Sequence, residues 1–66
     1  MRSSADTVTI SVELSPTQAR ALAQFCKRVG FTDCRSNAVS DDEAYQMIYA
    51  LNDVREALAL QGYAPR

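Results

Sequence analysis

Val8-Thr9-Ile10-Ser11-Val12-Glu13-Leu14 is the stretch on which the reading of this chain turns. Val8, Ile10, Val12 and Leu14 alternate with Thr9, Ser11 and Glu13, the period of two expected of a strand with one buried face. Nothing later in the chain alternates in this way. A lone strand leaves a row of N–H and C=O groups without partners, so it has to pair with a second copy or with another protein. The pattern therefore predicts an α+β protomer of strand, helix and helix. Its strands, over 7–14, would pair antiparallel across a homodimer, with Val8, Ile10, Val12 and Leu14 as the dimer strand.

Helix signals follow at once. In Ser15-Pro16-Thr17-Gln18 the serine is a cap, proline takes the first helical position, and Gln18 completes a capping box. Ala19, Leu22, Ala23, Cys26 and Val29 make an apolar stripe with Phe25 on its shoulder. Arg20, Gln24, Lys27 and Arg28 lie away from it. Gly30 is placed to end this helix, which is predicted over 16–29, with Phe31 giving the apolar contact that accompanies a glycine cap. Residues 32–39 carry Asp33, Ser36 and Asn37 with little periodicity and read as an ordered loop, with room for one helical turn. Ala38 and Val39 are expected to anchor that loop to the core.

Ser40-Asp41-Asp42-Glu43 is a second capping box, and its three acids suit the positive end of a helix dipole. The helix it starts is predicted over 41–61, stopping at Gly62, with Ala44, Met47, Ile48, Leu51, Val54 and Leu58 facing inward. Tyr63 is placed to fold back over Leu58. At 100° per residue Asp42, Tyr45, Tyr49, Asp53, Glu56 and Leu60 share the outer sector of the same helix. Two tyrosines among three acids suit a docking surface, with Tyr45, Tyr49 and Asp53 touching a partner and Asp42 and Glu56 steering its approach. The alternative is that these tyrosines cover a small core or pack in a homodimer.

Composition narrows the rest. The 66 residues make one domain, 1–66, with a flexible stretch over 1–6, near the lower size limit for folding alone. Apolar residues are 47% of the chain, which argues against general disorder. No run approaches the roughly 20 apolar residues of a membrane span, and residues 1–6 lack the apolar core of a signal peptide. A cytoplasmic location is expected.

The net charge of −1 lacks the basic surplus of a dedicated nucleic-acid binder. With no histidine, the commonest general base and metal ligand is missing. The two cysteines cannot complete a zinc site without dimer sharing or carboxylates. Cys26 falls on the apolar stripe of the first helix as a buried thiol. Cys34 falls in the loop, where Asp33 and Arg35 oppose each other in their effect on thiolate formation. Both glycines are placed to end helices, so no phosphate loop exists. Ser15 and Ser40 are caps with no base beside them. No catalytic residue, metal or cofactor is assigned, and a non-enzymatic protein is expected.

Two resemblances bear on function. Val8 to Pro16 is similar to the ribbon and first-helix entry of ribbon-helix-helix proteins, whose dimers place a β-ribbon in the DNA major groove. That resemblance implies a DNA-binding regulator or antitoxin. Here the groove-facing positions would be Thr9, Ser11 and Glu13, none of them basic. The second helix opens on Asp41, Asp42 and Glu43, and the loop between helices is longer than that family's turn. Separately, Ala21 to Phe31, Asp41 to Tyr45 and Gly62 to Arg66 resemble a group of short proteins of phages and integrative elements. Small acidic proteins of such elements are often inhibitors of host defence, including anti-CRISPR proteins. This second resemblance implies a protein-binding module aimed at a nucleic-acid-binding complex.

Overall fold

The computed structural model describes residues 7–64, and the expected flexible stretch 1–6 lies outside them. Three helices follow one another: α1 (Pro16–Arg28), α2 (Phe31–Ser36) and α3 (Asp41–Leu60). α1 and α2 both pack on α3, which is the spine of the fold.

The predicted α+β class is wrong. Among the described residues there is no strand, and 8–14 form no regular element. Val8, Ile10 and Val12 are exposed at 87%, 74% and 66%, so the dimer strand of Val8, Ile10, Val12 and Leu14 has no sheet to belong to. Alternation records which residues share a face. It does not supply the ladder of hydrogen bonds that makes a strand, and the described residues hold no second strand to supply it. The end of the segment meets the body, where Val12 and Leu14 flank a depression with Ala19, Leu58 and Tyr63.

α1 starts as its sequence dictates. The Ser15 hydroxyl accepts from the Gln18 N–H at 3.1 Å, and the Gln18 Oε1 accepts from the Ser15 N–H at 3.0 Å. Pro16 costs nothing at the first turn, where its missing N–H has no intrahelical acceptor. The helix ends one residue before the predicted 29: Val29 is extended, and its N–H still donates to the Phe25 carbonyl at 2.9 Å.

α2 replaces most of the predicted loop. Gly30 opens it rather than merely closing α1: its N–H donates to Asp33 Oδ2 at 2.9 Å. The Ser36 hydroxyl and the Asn37 side-chain amide both donate to the Asp33 carbonyl at 2.9 Å, closing the far end. Arg35 then ties α2 to α3, donating from Nε to Asp41 Oδ1 at 2.6 Å and from Nη1 to the Ala38 carbonyl at 3.0 Å. Ala38 is half-buried as expected, but Val39 is exposed and anchors nothing.

At the start of α3 the Ser40 hydroxyl accepts from the Glu43 N–H at 3.2 Å. Glu43 does not return the bond to Ser40. It reaches one residue further and accepts from the Val39 N–H at 2.8 Å. The helix ends at Leu60, with Gln61 as its cap, and Gly62 at φ 92° turns the chain. That left-handed conformation favours glycine, and it lets the Tyr63 N–H reach the Leu58 carbonyl at 2.9 Å. Tyr63 is half-buried near Leu58, as the sequence suggested.

Among the described residues, Ala19, Ala23, Cys26, Cys34 and Ala44 are buried. Leu22, Val29, Met47, Ile48, Leu51, Val54 and Leu58 surround them half-buried. Small residues at the centre let α1 and α2 approach α3 closely, and the larger side chains fill the flanks.

Candidate functional site

α3 is long enough to present two faces, one toward α1 and α2 and one away from them. Tyr45 and Tyr49 are four residues apart, one above the other on the outward side. Their rings stack with centroids 6.2 Å apart and planes inclined by 26°. They remain 47% and 56% exposed.

Phe31, at the first position of α2, extends the pair into a row of three. Its ring lies 4.8 Å from that of Tyr45, tilted by 40°. Sequence reasoning missed this residue because it treated Phe31 as a contact for the end of α1. The pairing of Gly30 with Asp33, three residues on, was the local signal that a new helix begins there.

At the other end of the row Tyr49 and Asp53 share a shallow depression with Gln46 and Ala50. Tyr45, Tyr49 and Asp53 are therefore brought together along one line of α3. Asp42 and Glu56 are exposed on the same helix, one turn or more from the tyrosines, and Leu60 is exposed at its end. The result is an open aromatic ridge bordered by carboxylates, suited to contact with a surface rather than to enclosing a small molecule.

The thiols take no part in it. Cys26 and Cys34 are both free and both buried. Desolvation raises the pKa of Cys26, against a smaller opposing pull from the Arg55 cation. For Cys34 this corrects the loop placement: it lies inside α2, turned toward the core. Among the described residues no three or more His, Cys, Asp or Glu side chains converge as a metal site would require.

Next to the depression of Tyr49 and Asp53, and sharing Ala50 with it, the three helices leave an open groove of about 690 Å³. Phe25, Val29, Cys34, Met47, Ala50 and Leu51 give it apolar lining, and Arg28, Asp33 and Asn37 give it polar lining.

The chain matches the profile of a family of unknown function, DUF7706, over residues 1–66. It belongs to that family. No curated protein and no solved structure matches it. No helix among the described residues is long and apolar enough to cross a membrane.

Proposed function

We propose that this chain is a non-enzymatic protein-binding module that docks through the outer face of α3. Tyr45 and Tyr49 are the anchors, Asp53 contacts the partner beside them, and Asp42 and Glu56 steer the encounter. The observation that carries this reading is the stacked Tyr45–Tyr49 pair standing open on a helix. Aromatic side chains dominate interface energetics because they bury much area at little conformational cost.

The charge of the face suggests the partner. On the outer face stand the exposed carboxylates of Asp42, Asp53 and Glu56, while Asp41 is paired with Arg35 and Glu43 bonds the Val39 N–H. Such a helix suits a basic surface, and its carboxylates would compete there with phosphate. We therefore read the chain as a cytoplasmic inhibitor encoded by a mobile element and directed at a nucleic-acid-binding host-defence complex, of the anti-CRISPR kind. The ribbon-helix-helix alternative is weakened, since residues 8–14 form no β-ribbon and positions 9, 11 and 13 hold no cation.

Affinity capture from the native host tests the reading. A partner that elutes in fixed stoichiometry, and whose retention requires Tyr45 and Tyr49, supports it. Tight binding to duplex DNA that weakens steeply with salt, with no protein retained, would refute it in favour of the regulator.

A further inference from the structure

Three carboxylates are taken up inside the molecule: Asp33 accepts from the Gly30 N–H, Asp41 pairs with Arg35, and Glu43 accepts from the Val39 N–H. The side chains of Asp42, Asp53 and Glu56 bond nothing among the described residues, and all three are exposed on the outer face of α3. No cation of α3 answers them. Its one basic residue, Arg55, stands near Cys26 of α1, whose thiol feels its charge, and so lies off the outer sector.

Tyr49 adds a ring to this uncompensated charge. It is 56% exposed, with Tyr45 stacked on it from one turn before and Asp53 one turn after. Four residues of helix advance about 6 Å, and a cation seats within about 6 Å of a ring centroid. A group lying over Tyr49 is therefore in reach of the Asp53 carboxylate. Both residues line one depression with Gln46, whose side-chain oxygen can accept a further hydrogen bond.

Building on the docking role proposed above for this face, we infer that the partner presents an arginine whose guanidinium lies over Tyr49 and pairs with Asp53. Charge complementarity selects a cation, and the ring selects its kind. A guanidinium is planar and weakly hydrated, and it stacks on an aromatic face while its N–H fork meets a carboxylate. An ammonium is a compact, strongly hydrated point charge that gains less from the ring. Asp42 and Glu56 carry the acidic face to either side, about 20 Å from end to end, so basic neighbours of that arginine are attracted to the same helix.

Titration of the full chain with two blocked peptides, hexa-arginine and hexa-lysine, tests this by NMR at low salt, where exposed charges are least screened. The probes match in charge and in residue number. Hexa-arginine is expected to bind about 5-fold more tightly, the equivalent of one exposed cation–π contact, and to shift the amide signals of Tyr49 and Asp53 most. Asp53→Asn and Tyr49→Leu should each remove that preference with the helical circular dichroism kept. If Tyr49→Leu loses its helical signal, Asp53→Asn decides. Glu13→Gln, outside α3, should keep the preference. No binding of hexa-arginine, equal affinity for the two peptides, shifts spread evenly over Glu13 and α3, or a preference that survives Asp53→Asn would each overturn the arginine assignment. Each would leave the docking role of Tyr45 and Tyr49 standing, since that role is read by capture of the host partner and not by these peptides.

Discussion

The Phe31 and Tyr45 rings meet with centroids 4.8 Å apart, and this contact joins the first residue of α2 to the outer face of α3. One end of the aromatic row is thus structural, while Tyr49 at the other end touches only Tyr45 within it. Phe31→Ala should destabilise the fold by about 1–2 kcal/mol, combining the aromatic contact with loss of partly buried area. Tyr49→Ala should cost well under that. Urea unfolding of the two variants side by side checks the order, and an equal loss would mean that Tyr49 supports the fold as much as Phe31 does.

The helix caps give a second expectation. Ser15 and Gln18 satisfy each other's backbone N–H groups, and removing one of a pair strands a donor. Ser15→Ala should cost about 1 kcal/mol, within the range measured for N-caps. Ser40→Ala should cost a comparable amount, since Glu43 bonds Val39 and cannot take over the serine's role. Thermal melts followed at 222 nm read both.

Ala44 is fully buried where α3 is most tightly covered. A larger side chain there has to push α1 or α2 outward. Ala44→Leu should therefore destabilise by about 1–3 kcal/mol through overpacking, although leucine is itself a good helix former. A stability gain instead would mean that the packing around Ala44 leaves room for a larger side chain.

Cys26 sets a pH dependence. Its thiol is held protonated by burial, so its pKa in the folded chain lies above the unfolded value of about 8.5. The stabilisation is fully present below that value and is lost as pH rises through the folded pKa. Denaturation midpoints should thus be insensitive to this group between about pH 6 and 8 and fall above it, and Cys26→Ala should flatten the fall. Both thiols should also react far more slowly with a disulfide reagent in the native chain than in denaturant, since both are buried.

How much of this could be read from the residues depends on whether the signal was local. α1 and α3 were legible because their caps and stripes lie within their own sequences: Ser15, Pro16 and Gln18 at one start, Ser40 and Glu43 at the other, Gly62 at the last stop. α2 was not, because six residues make fewer than two turns and show no apolar period. Its signal was a single side chain, Asp33, reaching back to the Gly30 N–H. The strand was misread for the converse reason. Val8, Ile10 and Val12 alternate, but pairing is a property of two segments, and one segment cannot encode it. On the candidate site, helical geometry alone put Tyr45, Tyr49 and Asp53 on one side of α3. Phe31 stayed hidden because its position depends on α2.

The most direct test of the binding face is the affinity of the captured host partner for the wild-type chain and for Tyr45→Ala and Tyr49→Ala, measured by calorimetry alongside each variant's melting temperature. Each substitution is expected to weaken binding by about 30-fold, the equivalent of roughly 2 kcal/mol for a buried anchor, while the fold is retained. Unchanged affinity in variants that remain folded would contradict the docking role of the α3 outer face.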